Sequence, residues 1–152
     1  MTGRRLRAED FDPLTRERFL AGALTPDAWY LQAQRFRSWY RARVLELFRD
    51  CDVLLAAATP CSATRIGQET MTIAGREVPT RPNLGLLTQP ISFIGLPVVA
   101  APLHRPGEMP IGVQIITAPW KEALALRVAA YLEKEGVVSA PVAREALHKL
   151  GS

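Results

Sequence analysis

Two short apolar runs in the second half of the chain give the clearest structural signal. Val98–Leu103 and Ile111–Ala118 contain several β-branched residues, which is typical of buried strands. The segment between them, residues 104–110, combines Pro, Gly and charged residues and predicts an exposed loop. A connection of this length is compatible with an antiparallel pair. A third apolar run, Val53–Ala58, predicts another strand, one that is buried on both faces.

Two helices are predicted in the N-terminal third. Leu14–Ala23 is a candidate short helix with Thr15 as its N-cap, although the residue three positions later is not the Glu or Gln of a capping box. Thr25 and Pro26 predict the start of a second helix, with threonine as N-cap and proline at the first helical position. This helix is predicted to continue to about Arg49. Its apolar face has residues spaced three and four apart: Trp29, Ala33, Phe36, Tyr40, Val44, Leu47 and Cys51.

Residues 60–90 are rich in Pro and Gly. Met71–Val78 predicts a small hairpin around Ala74 and Gly75, and the rest is predicted to be a long irregular connection. Long loops in compact domains are usually functional or disordered. Phe93–Pro97, directly before the first of the paired strands, predicts a short turn or helical piece.

The C-terminal region contains one more clear helix. Glu122–Lys134 carries apolar residues on one face, and Gly136 is well placed as its C′ residue. Residues 137–152 are predicted to be a mixed tail with a short helix at Val142–Leu150. Residues 1–12 are polar and aperiodic, which predicts a loose lead-in.

Composition restricts the class of protein. The chain has 152 residues, of which 48% are apolar and 22% charged, as expected for one globular domain or a piece of one. No apolar run reaches the roughly eighteen residues that span a bilayer, and the N-terminus lacks the apolar core of a secretory signal. We therefore expect a cytoplasmic protein that has no membrane partner. Cys51 and Cys61 lack metal-ligand spacing and are interpreted as reduced structural thiols.

The net charge of +4 is mild, but several arginines cluster in the second predicted helix. They are Arg35, Arg37, Arg41, Arg43 and Arg49. Nucleic-acid binding needs a basic face with base-reading or stacking groups, and Tyr40 falls on the buried side of this helix. We interpret the arginines as a solvated helix face and expect no nucleic-acid partner.

Several short motifs follow one another in the second half. Thr88 and Pro90 form Thr-x-Pro, Gly95 and Pro97 form Gly-x-Pro, and Pro110–Gln114 reads Pro-Ile-Gly-Val-Gln. Two upstream segments fit the same series: Asp52–Leu55 followed by Thr59 and Pro60, and the helical Ala28–Arg35. In this order the motifs resemble the C-terminal signature of the amidase signature family.

The resemblance implies an α/β fold, namely the C-terminal part of the amidase signature fold, a mixed β-sheet flanked by helices that is incomplete in this chain. It covers about residues 14–135, so residues 1–152 are interpreted as a single partial amidase domain. Family members hydrolyse amides with a serine nucleophile, a second serine in a cis peptide and a lysine, while backbone amides stabilise the oxyanion. No cofactor and no metal are expected.

The parts of that machinery are missing from this sequence. There is no Gly-Gly-Ser-Ser-Gly-like run, and no serine has glycine on both sides. In the family the catalytic residues lie upstream of the matched region, so we assign no catalytic residue and predict that the chain alone is inactive. A Cys61–His104 dyad is an alternative, but nothing in the sequence positions the pair. His148 lies in the predicted tail.

Three residues are candidates for substrate binding. Arg18 matches the arginine that holds the substrate carboxylate in the family's glutamine-using amidotransferases; the alternative is a surface helix arginine. Thr88 and Gln89 precede the Gly-x-Pro strand and are placed to face the cleft; the alternative is a purely structural turn. Gly85 stands where those amidotransferases have an aspartate that holds an ammonium group. The resemblance therefore disfavours glutamine and favours a small anionic, urea-like amide.

The function predicted from the sequence is that of a C-terminal fragment of an amidase-type hydrolase acting on small amide or urea-like C–N bonds. Its expected partners are a small amide substrate in the complete enzyme and either a missing N-terminal half or a second copy. The alternative is a non-catalytic scaffold or interaction subunit that retains the end of the amidase fold.

Overall fold

The computed structural model describes residues 7–141 as a combination of helices and antiparallel sheets. These residues form two compact units with the boundary between Trp39 and Tyr40. The helices are a 3₁₀ helix at Ala8–Asp10, α1 (Pro13–Ala23), α2 (Asp27–Leu47), α3 (Thr80–Asn83), α4 (Gln89–Ile94) and α5 (Glu122–Lys134). The strands are β1 (Val53–Ala57), β2 (Thr70–Ile73), β3 (Arg76–Pro79), β4 (Val98–Leu103) and β5 (Ile111–Thr117). The helix predicted at Val142–Leu150 lies outside the described residues.

The second unit is built on a three-stranded antiparallel sheet in the order β1-β5-β4. Ile115 of β5 pairs with Leu55 of β1 on one side and with Val99 of β4 on the other. The predicted antiparallel pairing of residues 98–103 with the run that begins at Ile111 is therefore confirmed. Because β5 is the central strand, its residues from Gln114 to Thr117 are all buried.

Consecutive residues of β5 enter different hydrophobic clusters, because side chains along a strand alternate between its faces. Ile115 packs in a cluster with residues of β4 and α5 and the segment after it: Ala101, Ala125 and Val138. Ile116 packs in the other cluster, with the end of α2 and the segment around α4: Val44, Ile94 and Leu96. Elements of this unit therefore cover both faces of the sheet around the middle of β5.

The strand predicted at residues 53–58 is confirmed as β1, but the prediction that it is buried on both faces is wrong. In the described part of the chain β1 pairs with β5 alone, so it is an edge strand. The two hydrophobic clusters reach Val53 and Leu54, at the start of β1. Beyond them the strand is uncovered, and Leu55 is 60% exposed.

Both predicted N-caps in the first unit are wrong. α1 begins at Pro13, and the Thr15 hydroxyl bonds back to the carbonyl of Asp12 at 3.1 Å. The Thr25 hydroxyl bonds to the carbonyl of Ala21 at 3.1 Å, whereas α2 begins at Asp27. Each hydroxyl thus bonds to a backbone oxygen three or four residues earlier, a common alternative to capping for threonine.

The predicted apolar face of α2 is exposed along the part of the helix that belongs to the first unit. Trp29 is 70% exposed and Phe36 54% exposed, whereas Val44, in the second unit, is buried. The Phe36 and Trp39 rings contact each other with centroids 5.6 Å apart. The helix ends at Leu47, slightly before the predicted end.

The hairpin predicted within residues 71–78 is confirmed. β2 and β3 pair antiparallel, and Ile73 lies opposite Arg76 across a two-residue turn. Both turn residues have positive φ, 49° at Ala74 and 77° at Gly75, as a type I′ turn requires. The connection is more regular than predicted, because α3 follows the hairpin directly.

The predicted bounds of the last helix are confirmed, and so is the role of Gly136. Its φ of 71° places it in the left-handed region, where glycine carries no steric cost. Gly136 N–H donates to Glu133 O at 3.0 Å and Val137 N–H donates to Leu132 O at 2.9 Å. This pair of hydrogen bonds is the Schellman motif that closes α5.

Candidate functional site

The segment that leads into α4, Gly85–Gln89, folds around one carbonyl oxygen and is called here the 85–89 turn. Gly85 O accepts hydrogen bonds from Thr88 N–H at 3.1 Å, Gln89 N–H at 2.9 Å and the Thr88 hydroxyl at 3.2 Å. α4 follows with Pro90 in its first turn, where proline's missing N–H costs no helical hydrogen bond. The helix ends at Gly95, whose φ is 65°.

Gln114 connects this turn to the central sheet. Its side chain is 2% exposed, and its Nε2 donates to Ala57 O at 2.8 Å and to Leu87 O at 3.1 Å. Ala57 is the last residue of β1, and Leu87 lies in the 85–89 turn. One buried amide group therefore holds the end of an edge strand and the turn together.

Gln89 folds back over Gly85 within the turn. A Cβ built on Gly85 would lie 3.0 Å from Gln89 Nε2 and 3.4 Å from Gln89 Cγ. Any side chain at position 85 would therefore push the Gln89 side chain away from its present place. Because position 85 is glycine, the neutral amide of Gln89 occupies the space that a side chain at position 85 would take. An acidic residue at position 85 would have placed a carboxylate there.

Arg41 supports the other end of α4. Its Nη1 donates to the carbonyl of Ile94 and, at 3.4 Å, to the carbonyl of Gly95. The last carbonyls of a helix have no partner within the helix, and a cation is favourable beside them. Arg41 is therefore a structural residue of the second unit and not part of a solvated helix face, which corrects the interpretation made from the sequence for this one arginine.

The structure brings Thr88 and Gln89 together at the start of α4. Thr88 is half-buried and Gln89 is exposed, so their polar groups border the surface of the second unit. Arg18 is exposed on α1 in the first unit. Its side chain makes no hydrogen bond or ion pair with any residue of the described part of the chain. The substrate-binding roles of all three residues stay predictions.

The two thiols and the His104 imidazole make no hydrogen bond to one another in residues 7–141. Cys51 and Cys61 are free thiols and are half-buried; Cys61 Sγ lies 3.6 Å from Met71 Sδ. His104 is exposed in the loop between β4 and β5. Within these residues no group of three or more His, Cys, Asp and Glu side chains is arranged to hold a metal ion. His148 lies outside the described residues.

Sequence reasoning missed the roles of Gln114 and Arg41. The available signal for Gln114 was a long polar side chain between apolar neighbours in a predicted buried strand, since a buried amide must find hydrogen-bond partners. For Arg41 the signal was its place on α2 next to the apolar position Tyr40. Neither signal identifies the partner, which lies far away in the sequence in both cases.

Three comparisons with known proteins give a consistent result. The Amidase family model matches residues 2–126. The chain is 56% identical over 136 residues to AtzE, the 1-carboxybiuret hydrolase subunit of Pseudomonas sp. (strain ADP). It is 35% identical over 106 residues to a fatty acid amide hydrolase of Medicago truncatula. It is also 35% identical over 129 residues to a glutamyl-tRNA(Gln) amidotransferase chain of Synechococcus sp. (strain JA-2-3B'a(2-13)).

Solved structures agree with the sequence comparisons. One, described as an unexpected vestigial protein complex that reveals the evolutionary origins of an s-triazine catabolic enzyme, matches with a TM-score of 0.84 and 52% identity over 91% of this chain. A crystal structure of an amidase matches with a TM-score of 0.78 and 29% identity over 84% of this chain.

The matches cover most of this chain but a minor part of each relative. The match to AtzE covers 88% of this chain and 30% of AtzE. The match to the fatty acid amide hydrolase covers 69% of this chain and 18% of that enzyme, and the match to the amidotransferase chain covers 81% of this chain and 24% of that relative. The two solved chains are covered to 31% and 29%. Within residues 7–141 no helix combines the length and the hydropathy of a membrane span.

Proposed function

The chain belongs to the amidase family, and we propose that it forms the C-terminal part of a hydrolase that cleaves small amide or urea-like C–N bonds. The observation that carries the proposal is the 56% identity to the 1-carboxybiuret hydrolase subunit over 88% of this chain. The agreement with two solved structures, at TM-scores of 0.84 and 0.78, supports the same fold. Under this proposal residues 1–152 are a single partial amidase domain.

The proposed substrate is a small anionic, urea-like amide. 1-Carboxybiuret, the substrate in the name of the relative AtzE, combines a carboxylate with urea-like C–N bonds. We assign Arg18 to the carboxylate, because a guanidinium binds a carboxylate through two parallel charge-assisted hydrogen bonds. Its exposure and its lack of a partner among the described residues support this assignment.

The 85–89 turn supports the same substrate class. The Gln89 primary amide can donate and accept hydrogen bonds without carrying charge, and the Thr88 hydroxyl, whose proton goes to Gly85 O, can accept one. A urea-like group also donates and accepts. Gly85 provides no carboxylate to pair with an ammonium group, and Gln89 occupies the space above it. An amino acid such as glutamine is therefore disfavoured as substrate.

The proposed chemistry is acyl transfer to a serine followed by hydrolysis. The serine oxygen attacks the carbonyl carbon, the C–N bond breaks, and the lysine and bridging serine deliver a proton to the leaving nitrogen; water then releases the acyl group. This chain contains no Gly-Ser-rich run that could supply the serines. We propose that the catalytic set comes from other sequence of the complete enzyme and that this chain alone is inactive.

Several exposed features support a requirement for additional protein. In the first unit large apolar side chains are exposed, including Leu24 at 82% and Trp29 at 70%. In the second unit β1 and β4 each pair on one side only within the described residues. Unpaired strand edges and extended apolar surface normally mark an interface. We propose that the remainder of an amidase covers them.

A segment exchange tests the proposal. The segment of this chain that aligns with AtzE, 88% of its length, would replace the corresponding segment of that relative, and ammonia release from 1-carboxybiuret would be measured. The unaltered relative and this chain alone serve as controls. We expect the hybrid to hydrolyse the substrate and the chain alone to release no ammonia above background.

The outcomes separate the candidate functions. A hybrid that is folded, as judged by circular dichroism, but releases no ammonia from 1-carboxybiuret or from a panel of small ureas and amides would contradict the hydrolase proposal and favour the scaffold alternative. Ammonia release by the purified chain alone, lost on mutation of one of its serines, would contradict the proposal that the catalytic set lies elsewhere.

A further inference from the structure

We propose that Gln114 is a positioning residue that fixes the 85–89 turn, and with it Thr88 and Gln89, for substrate binding. The structural part of this inference stands on the geometry of the second unit. The part that concerns substrate rests on the proposed function. Gln114 does not itself face the surface, so it acts through the turn and not by contact with substrate.

The first step is the geometry of the Gln114 amide. A primary amide nitrogen has two hydrogens, and Nε2 has two backbone acceptors, Ala57 O at 2.8 Å and Leu87 O at 3.1 Å. These acceptors belong to different segments, the end of β1 and the turn. Because β5 is the central strand and Gln114 is 2% exposed, the amide is held on a rigid element.

The second step is that the turn has few other attachments. Its own hydrogen bonds converge on Gly85 O or reach only the adjoining helices, as from Leu86 N–H to Asn83 O at 3.2 Å and from Ser92 N–H to Thr88 O at 3.0 Å. Leu86 and Leu87 are 47% and 38% exposed, so apolar burial fixes the turn only weakly. The bond from Gln114 to Leu87 O connects the turn to the sheet directly before Thr88 and Gln89. Losing it leaves α4 held by the packing of Ile94 in its hydrophobic cluster and, at its far end, by Arg41.

The third step is a variant that removes the two hydrogen bonds with little change of shape. Gln114→Met has a similar length and no N–H donor, whereas Gln114→Asn keeps an amide that is one methylene too short to reach both carbonyls. Thr117→Val is a matched control on the same strand. Thr117 is fully buried and donates to Lys121 O at 3.3 Å, at the start of α5 and away from the turn.

The first measurement is amide hydrogen exchange on the full 152-residue chain. Gln114→Met should speed exchange in the 85–89 turn by about tenfold or more relative to the rest of the sheet, because loss of a buried hydrogen bond lowers the cost of local opening. Thr117→Val should leave exchange in the turn unchanged. Where Gln114→Met does not fold, Gln114→Asn is measured against the same criterion.

The second measurement uses the hybrid enzyme described above. A positioning role predicts that Gln114→Met raises KM for 1-carboxybiuret by about tenfold with a smaller change in kcat. The reason is that a displaced turn would lose one neutral hydrogen bond from Thr88 or Gln89 to the substrate, which corresponds to roughly that factor. Thr117→Val should change neither constant. A uniform loss of activity in both variants, in proportion to lost stability, would show a merely structural role.

The two measurements fail independently. If the unsubstituted hybrid is inactive, the proposed function fails, yet exchange in the chain still tests the attachment of the turn. If exchange in the turn is unchanged in the Gln114 variants, the attachment is refuted regardless of activity. If exchange rises but KM for 1-carboxybiuret does not, the turn does not position substrate and the inference is overturned.

Discussion

The Gly112→Ala substitution tests how closely the end of β1 approaches β5. A Cβ at position 112 would lie 2.8 Å from the Cβ of Ala58, whereas non-bonded carbons prefer about 3.5–4.0 Å. Ala58 is 6% exposed, and its N–H donates to Gly112 O at 2.7 Å. The added methyl group therefore has to push apart two backbone segments that are joined by a short hydrogen bond.

The expected cost follows from two opposing contributions. Overpacking of this kind costs about 1–3 kcal/mol. Replacing glycine by alanine also restricts the unfolded chain, which stabilises the fold by about 0.4–1 kcal/mol. The net loss should therefore be about 1–2 kcal/mol for Gly112→Ala. Gly22→Ala is the control, because a Cβ on Gly22 in helix α1 meets nothing within 4 Å; there alanine should be neutral or stabilising.

Urea unfolding of the full chain, followed by circular dichroism, measures these free energies, and a constant slope confirms that the same transition is compared. Ala58→Gly removes the opposing methyl group, so the double variant should recover about 1 kcal/mol or more of the loss through pairwise coupling. The reasoning is refuted if Gly112→Ala is as stable as the unsubstituted chain, or if Ala58→Gly recovers nothing.

Two further predictions follow from the exposed surface. Arg18→Ala in the hybrid enzyme should raise KM for a carboxylate-bearing amide roughly tenfold or more, because a charge-assisted hydrogen bond contributes about 1.5–3 kcal/mol. The substitution should hardly change KM for a neutral amide, and Arg35→Ala is the control. Equal effects on both substrates would count against a role of Arg18 in binding the carboxylate. The isolated chain should bind a hydrophobic dye and elute, by size exclusion with light scattering, at more than its monomer mass of 16.8 kDa; a dye-negative monomer would contradict this.

Local sequence patterns were sufficient to predict β4, β5, α5 and the turn of the β2–β3 hairpin. The β-branched residues of β4 and β5 indicate two strands, and the length of the polar loop between them is compatible with an antiparallel pair. The amphipathic run of α5 ends at a glycine that adopts the left-handed conformation, so both bounds of that helix could be predicted. The turn at Ala74 and Gly75 is likewise local, because Gly75 adopts its positive φ without the steric cost that Ala74 carries.

Features that depend on distant parts of the chain were not predictable in the same way. The exposure of Leu55 depends on how far the covering elements extend over the sheet, which the apolar run at residues 53–58 does not encode. The caps failed for a different reason. A threonine hydroxyl can accept from a backbone N–H two or three residues later, as a cap does, or donate to a carbonyl three or four residues earlier. Proline near the helix start also favours helix initiation without a side-chain cap.

The candidate site shows the same division. Thr88 and Gln89 could be grouped because they are adjacent in the sequence, and Gly85 could be compared with an acidic residue in the family. The link from Gln114 to Leu87 joins residues 27 positions apart, and the link to Ala57 joins residues 57 apart. Hydrogen-bond partners at such separations follow from the topology, because the order β1-β5-β4 places the middle of β5 beside the end of β1.

The Pro-Ile-Gly-Val-Gln motif of β5 therefore has a physical explanation in two of its residues. Gly112 and Gln114 are two positions apart and lie on the same face of the strand. The first leaves room for Ala58, whose N–H bonds to the Gly112 carbonyl at 2.7 Å; the second donates to the neighbouring Ala57 carbonyl at 2.8 Å. A side chain at Gly112 would push the end of β1 away from β5 and so move the Ala57 carbonyl that Gln114 binds. Through its second hydrogen bond, to Leu87 O, the motif also sets the position of the turn that carries the candidate substrate-binding residues.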